Sequence, residues 1–342
     1  MADQTVAAGY TQTLLSYAVS RGADRQTLME RSGIRPDQLE DRENRVPLAS
    51  CVALMKAAVS LCNDPAFALR FGEAVRNEDL SVALLIAGAA ETVEQGRTQM
   101  NRYARLIRDD NDDGDSDLLE LVRDQDGVWL EFKSGIYIDN PYFVEAGFAW
   151  CVRETRKMLE IHHKGRPFPK AIHFTYAEPG YRAEYDRIFD SPLVFGSNRN
   201  ALLIEEDFLS VRLPASNPYL AQVLSKHADA LLKRLENSKT IRGRVESLLI
   251  PSLHTEPMGM RTIAGKMGLS RQTLSRRLKA EGVTFEKVLD ELRRGMALHY
   301  LREEKVSVNE AAYLLGFSEP AAFSRAFKRW TGDSPRTARF DD

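Results

Sequence analysis

MRTIAGKMGLSRQTLSRRLKAEG (residues 260–282) and, beyond a spacer, SVNEAAYLLGFSEPAAFSRAFKRWTGDSP (residues 307–335) decide the architecture of the carboxy-terminal part of this chain. In the first stretch Ile263, Ala264, Met267, Leu274 and Leu278 recur at helical spacing on either side of Gly268-Leu269-Ser270. Gly268 stands where a tight turn needs a positive φ, Ser270 is a good N-cap, and the small Ala264 lets two helices cross closely. The stretch reads as a helix-turn-helix unit. Outward positions of its second helix are Arg271, Gln272, Ser275, Arg276 and Lys279, which supply amide and guanidinium donors for base edges and cations for phosphates.

The second stretch repeats the plan with Val308, Ala311, Ala312 and Leu315, then Gly316, then Phe323 and Phe327. Leu274 lies six positions after Gly268, whereas Phe323 lies seven after Gly316, so the second turn is one residue longer. Aligned on these core residues, Ser324 matches Ser275, Arg325 matches Arg276 and Lys328 matches Lys279, with Arg329 beside it. Any two short amphipathic helices around a glycine imitate one such unit. Two in tandem, both basic on the outside, are far less easily imitated. Between them Thr284–Arg302 carries Phe285, Val288, Leu289, Leu292, Met296, Leu298 and Leu301 at helical spacing. A helix of about 18 residues spans roughly 27 Å, comparable to the ~34 Å between successive major-groove faces of B-DNA.

GFSEPAAFSRAFKRWTGDSP (residues 316–335) resembles the signature of AraC/XylS-type transcriptional regulators, and all of residues 240–342 are similar to their two-headed DNA-binding domain. The resemblance implies base-facing positions for Gln272 and Arg276 in the first unit and for Ala321, Ser324 and Arg325 in the second. Pro320 and Ala321 replace polar residues that some members carry, which implies fewer direct base hydrogen bonds from the second unit. Ala338 stands where an aromatic is common, which implies a weaker anchor for the last helix. FPKAIHFTYAEPGYRAEYDRIFDSPLVFGSNRNALLIEEDFL (residues 168–209) resembles the amino-terminal domain of a subgroup of these regulators. That domain is often named arabinose-binding, although its members answer to different effectors. The likeness covers roughly residues 15–215 and implies a sensing role without naming a ligand or its binding residues.

Bulk charge agrees with this division. The chain has 342 residues, enough for two or so domains, and a formal net charge of −2. Residues 240–342 hold 18 basic and 13 acidic residues, against 29 and 36 in residues 1–239, so the basic excess lies on the part that reads as a DNA binder. Cys51, Cys62 and Cys151 form no C-x-x-C pair and read as reduced thiols of a cytoplasmic protein. The longest apolar run, around Val82–Ala90, is too short to cross a bilayer, and no signal-length run follows a basic start.

Residues 1–108 are mostly helical in pattern, over Val6–Arg21, Asp24–Ser32, Pro47–Leu61, Pro65–Arg76 and Val93–Ile107. SRGADRQTLMERSGIRPDQL (residues 20–39) imitates a third DNA reader, but acidic residues run through it and the helical-sensor reading is favoured. Leu118–Val122 and Val128–Phe132 flank Asp124-Gln125-Asp126-Gly127 as a hairpin. A helix over Tyr142–Ile161, a strand over Ala171–Tyr176, a helix over Arg182–Ile188 and short strands at Leu193–Phe195 and Ala201–Ile204 follow. The order suggests an α/β domain with a small mixed sheet and not an all-β barrel.

Three constellations resemble sites for other chemistry. Asp109–Glu120 satisfies the calcium-loop pattern, with Asp109, Asn111, Asp113, Asp117 and Glu120 as ligands around Gly114. Ser116 takes an apolar position and a strand follows where a helix is needed, so a solvated acidic turn is favoured. Glu160-Ile161-His162-His163 has no second cluster at ligand spacing. Tyr137, Tyr142, Phe143, Phe148, Trp150, Phe174, Tyr176, Tyr181 and Tyr185 read mostly as core, with a pocket for an organic effector as the other reading. No nucleophile motif, phosphate loop or dinucleotide fingerprint occurs, so no enzyme, cofactor or metal is expected.

The sequence thus describes an α/β amino-terminal sensor domain, mostly helical with a small mixed sheet, followed by an all-α carboxy-terminal domain of two helix-turn-helix units joined by a linker helix. The expected boundaries are 1–215 for sensing, 216–239 for a dimerisation or connecting helix with a linker at Asn237–Thr240, and 240–342 for DNA binding, with units at 260–282 and 307–331. The expected partners are promoter DNA, a small-molecule effector, RNA polymerase if the protein is an activator, and a second copy. A non-specific architectural DNA binder and a regulator governed by a protein partner are the alternatives.

Overall fold

The computed structural model describes residues 4–109, 117–132, 140–162, 168–214, 216–254 and 259–340. The chain divides into two units, Met1–Leu232 and Lys233–Asp342. The central part of the acidic loop, Tyr137 and His163 lie outside the described residues.

In the amino-terminal unit the chain begins on a strand, β1 (Thr5–Ala7), where helix was expected from Val6 onward. It pairs antiparallel with β2 (Arg45–Pro47) and β3 (Arg108–Asp109). Strands this short show no usable alternation, and a side chain ties them together. Arg45 donates Nε to Thr5 Oγ1 at 3.1 Å, Nη2 to the Thr5 carbonyl at 2.9 Å and Nη1 to the Leu106 carbonyl at 2.6 Å. Burial pulls its pKa down to about 10. Next in the chain come α1 (Ala8–Ser20), α2 (Arg25–Ser32), α3 (Leu48–Leu61) and α4 (Phe67–Ala74). Asp24 caps α2 by accepting from the Thr27 amide at 2.8 Å, and Leu28 of α2 is buried in the core of this unit. The stretch that imitates a DNA reader is therefore a packed part of the sensor.

After α5 (Asn77–Leu80), α6 (Val82–Gly88), α7 (Val93–Arg102) and α8 (Ala104–Ile107), the hairpin forms as β4 (Leu119–Asp124) and β5 (Gly127–Phe132). With β6 (Ala171–His173), β7 (Leu193–Val194) and β8 (Ala201–Ile204) it makes a sheet of order β4-β5-β8-β6-β7, antiparallel except between β6 and β7. Helix α9 (Pro141–His162) packs on it, with the Phe148 ring 4.8 Å from Phe132 and 5.5 Å from Phe174. Helix α10 (Arg182–Phe189) adds Tyr185 and Phe189 around Phe174. Phe143, Phe148, Phe174 and Tyr185 are buried, as the core reading of the aromatic set expects. Helices α4 and α9 meet at backbone distance, because a Cβ on Gly72 would lie 2.2 Å from the Ala146 carbonyl oxygen.

Helix α11 (Pro218–Lys239) leads out of this unit. Asn237–Lys239, expected to be linker, are its last turn, and Thr240 caps the next helix, α12 (Ile241–Leu249), by accepting from the Gly243 amide at 2.8 Å. The polar run marks a helix end and a cap, not a flexible joint. The carboxy-terminal unit continues with α13 (Met260–Lys266), α14 (Arg271–Ala280), α15 (Phe285–Arg302), α16 (Val308–Leu314), α17 (Pro320–Thr331) and α18 (Pro335–Phe340). Among the described residues no helix is long and apolar enough to cross a membrane.

One buried acid sets a pH dependence. Glu145 in α9 is 1% exposed, and its Oε1 accepts from the Tyr185 hydroxyl at 2.5 Å and the Tyr181 hydroxyl at 2.7 Å. Its Oε2 has no hydrogen-bond partner among the described residues, and burial pushes its pKa up from 4.5 to about 7. An acid whose folded pKa is raised takes up a proton on folding. Its contribution is complete below about 4.5 and is lost as the pH rises through about 7. Glu145→Gln should therefore raise the melting temperature at pH 8 and leave it unchanged near pH 4.5, a difference of roughly 3 kcal/mol that thermal melts across the range would register.

Candidate nucleic-acid interface

The first helix-turn-helix is assembled by local hydrogen bonds and a small core. Gly268 adopts φ 67°, and the Leu269 amide reaches back to the Ala264 carbonyl at 2.8 Å, closing α13. Ser270 Oγ then accepts from the Thr273 amide at 3.1 Å and starts α14. Ile263, Ala264, Leu274 and Leu278 are buried together with Val245 and Leu249 of α12 and Phe285 and Val288 of α15. This packing turns Arg271, Gln272, Arg276 and Lys279 outward as exposed side chains, with Ser275 half-buried between them. They line one open concavity of about 820 Å³, whose other side is Thr284–Glu286. Among the described residues the four long side chains have no internal ion pair.

The second unit repeats this with one difference. Gly316 adopts φ 72° and the Phe317 amide bonds the Ala312 carbonyl at 3.0 Å. Ser307 caps α16 through the Glu310 amide at 3.1 Å. Helix α17 starts after the extra residue, on Pro320 at its first position, with no side-chain cap from Glu319. Ala311, Ala312, Leu315, Phe323 and Phe327 are buried with Ala297 and Leu301 of α15. Ala321, Arg325, Lys328 and Arg329 are exposed and Ser324 is half-buried. Arg329 is already engaged, donating Nη2 to Asp290 Oδ2 of α15 at 3.0 Å, whereas Arg325 and Lys328 have no ion pair among the described residues.

Helix α15 contributes its first half to one core and its second half to the other. Arg293, near its middle, donates Nε to the Leu315 carbonyl at 3.1 Å and lies 4.7 Å from the Phe317 ring centroid. Burial lowers its pKa, yet as an arginine it stays charged at neutral pH. Glu281, in the turn after α14, accepts from the Ile241 and Arg242 amides at 2.7 and 2.9 Å and so takes the first two free donors of α12. Neither Arg293 nor Glu281 was singled out in the sequence, where both look like ordinary surface charges. Ala338 differs from its expectation. It is 3% exposed in the second core, its carbonyl accepts from Arg302 Nε at 3.4 Å, and Ser334 caps α18 through the Thr337 amide at 3.2 Å, so the small residue seats the last helix.

The other candidates belong to the amino-terminal unit. No group of three or more His, Cys, Asp and Glu among the described residues is arranged to hold a metal ion. Asp109 lies in β3 and Glu120 in β4, and the residues between Asp109 and Asp117 are outside the described set. Burial pushes the Cys51 and Cys151 thiols up to about 12. On α11, Ala228 is buried and Asp229 accepts from the Tyr103 hydroxyl at 2.8 Å, while Tyr219, Leu220 and Val223 are exposed.

Comparison with known proteins places this geometry. Residues 22–213 match the family described as the arabinose-binding domain of AraC transcription regulator, N-terminal, and residues 263–340 match a helix-turn-helix domain. The chain is 25% identical over 338 residues to the ornithine utilization regulator of Pseudomonas aeruginosa, covering 98% of this chain and 96% of that one. It is 23% identical over 333 residues to the transcriptional regulator VirS of Mycobacterium tuberculosis, covering 97% and 94%. The crystal structure of the transcriptional regulator CdpR from Pseudomonas aeruginosa is 23% identical, with a TM-score of 0.42 over 92% of this chain and 96% of that one.

The two turn glycines are equivalent in sequence and unequal in surroundings. Nothing lies within 4 Å of a Cβ built on Gly268, whereas one on Gly316 would sit 1.9 Å from the Leu253 carbonyl oxygen. Gly268→Ala should cost about 1–2 kcal/mol from the left-handed backbone alone, and Gly316→Ala more. Amide hydrogen exchange should accelerate over 260–282 in the first variant and, by a larger factor, over 307–331 in the second.

Proposed function

We propose, for a chain that belongs to the AraC family of transcription regulators, that α14 and α17 enter successive major grooves on one face of promoter DNA and that the amino-terminal unit governs their occupancy. The chain is a DNA-binding transcriptional regulator and not an enzyme. The observation that carries the finer reading is the pair of outward basic faces, on which Arg271, Arg276, Lys279, Arg325 and Lys328 have no ion pair among the described residues, mounted on one helix about 27 Å long at 1.5 Å per residue.

In this reading Gln272 and Arg276 take base edges, and Ser275 with Arg271 and Lys279 holds the flanking phosphates and sugars. In the second unit Arg325 is the main base reader, Ser324 supports it, Ala321 offers only apolar contact, and Lys328 takes a phosphate. Arg329, already paired with Asp290, contributes least. A small-molecule effector bound by the amino-terminal unit shifts the population of the DNA-binding-competent state, and the change in occupancy activates transcription through RNA polymerase.

The test is selection of bound genomic fragments by the full-length protein, footprinting of the winners, and affinity measurements on substituted proteins. Arg276→Ala and Arg325→Ala should each cost ~1–3 kcal/mol and relax preference at one base position. Lys279→Ala should weaken all sequences alike and lower the salt slope, and Arg329→Ala should change little. Unchanged affinity and preference in both arginine variants would falsify this assignment of reading faces. Diffuse, salt-sensitive binding by the wild type would favour an architectural role.

A further inference from the structure

Within the amino-terminal unit lies a cleft of about 490 Å³ between the sheet and the α6–α7 pair. Leu130 and Ile204 form its sheet side, Leu84 and Met100 the opposite side, and Phe168 and Phe208 are part of its lining. Trp150, Cys151 and Thr155 of α9 close one flank. The volume suits a small organic molecule.

Two of the three charged side chains in the wall are already matched, and the third, Lys157, is exposed. Arg97 holds Glu94 at 2.8 Å and Asp117 at 3.3 Å, and Glu154 holds Arg153 at 2.5 Å. The Trp150 indole donates to Asn77 Oδ1 at 2.8 Å. A polyhydroxylated sugar would leave most of its hydroxyls unsatisfied against such a wall, and a dibasic amino acid would bring two cations to a site whose one carboxylate, Glu154, is taken. Burying apolar ligand surface there gains roughly 25 cal/mol per Å². A single polar end can still be met at the rim, by the Asn77 amide or the exposed Lys157.

The cleft also touches the start of the helix that leaves the unit. Its wall includes Leu213 and Pro214, and the surrounding backbone is stitched to the α6–α7 turn. The Val93 amide bonds the Val211 carbonyl at 3.0 Å, Leu213 bonds Glu91 at 2.9 Å, and Asn217 bonds Ala89 at 3.0 Å. Helix α11 begins at the next residue, Pro218. At the far end of α7, Arg102 pairs with Asp229 of α11 at 3.0 Å and Tyr103 bonds the same carboxylate. A molecule wedged against α6–α7 therefore bears on both attachments of the first half of α11.

We propose that this cleft is the effector site and that it takes a mainly apolar small molecule with at most one polar end, not a sugar or a dibasic amino acid. The inference rests on the effector-controlled reading above. The probe is the neutral dye N-phenyl-1-naphthylamine, titrated into the full-length protein. Its fluorescence should rise saturably, with one site per chain. Ala87→Phe and Leu209→Trp, on two different walls, should weaken it by about tenfold or more while keeping a cooperative melt and wild-type binding to the selected promoter fragments. Arabinose and ornithine should not displace it. Dye binding that is indifferent to both folded variants, or displacement by either polar compound, overturns the proposal. Should both larger side chains unfold the unit, Trp150→Phe decides. Energy transfer to the dye falls if the dye sits in the cleft and stays if it binds elsewhere. The promoter fragments separate this from the parent reading. A wild type that selects no fragment defeats regulation whatever the dye does, and dye that saturates the cleft without changing fragment affinity defeats effector control while the site stands.

Discussion

The second helices of both helix-turn-helix units are held by cores that end on the same helix, Phe285–Arg302. Phe285 and Val288 complete the first core and Ala297 and Leu301 the second, so each helix-turn-helix closes its apolar interior on this helix. Each core is only a handful of residues, too small to stand alone by area burial. One continuous helix makes two marginal cores into a single cooperative object, because any loss of its helicity opens both. It also converts a distance along the chain into a fixed distance in space, which is what a pair of readers requires of its spacer.

Within that frame the two units are fixed differently. The first relies on backbone turns and a serine cap around Gly268, with open space beside the glycine. The second has no side-chain cap at α17 and is clamped from outside: Arg293 holds the Leu315 carbonyl, the Leu253 carbonyl presses on Gly316, and Asp290 holds Arg329. The longer turn after Gly316 explains the need. An extra residue adds freedom exactly where α17 is set, and contacts from α15 remove it.

What could be read from the sequence follows from how far each feature depends on neighbours in the chain. The periodicity of Ile263, Ala264, Leu274 and Leu278, the turn glycines and the serine caps are local, and each was legible with its register. The hairpin at Asp124–Gly127 and the core role of Phe148, Phe174 and Tyr185 were legible for the same reason. Arg293 was not. It sits beside Arg294 with the same composition around it, yet Arg293 is half-buried against a turn more than twenty residues away and Arg294 is exposed. The three-residue strands β1 and β2 and the two-residue β3 were equally hidden, since each is too short to show alternation and pairs with a strand far along the chain.

The cleft between the sheet and α6–α7 is the extreme of that rule. Its wall is drawn from residues as far apart as Asn77 and Pro214, and each apolar member, taken singly, is indistinguishable from ordinary core. Only the balance of the wall carries meaning: many apolar side chains, and charged ones that, apart from the exposed Lys157, have already found partners. A family description that names a sugar records descent, whereas the pairing of Arg97 with Glu94 and of Glu154 with Arg153 records what this chain has left to offer a ligand. A site whose one unpaired charge, Lys157, is exposed discriminates inside by shape and desolvation, so its selectivity among apolar molecules is broad and its rejection of highly polar ones is strong. Divergence of effector within a shared fold then needs no new scaffold. It needs only that the charges lining one cleft be paired off or set free.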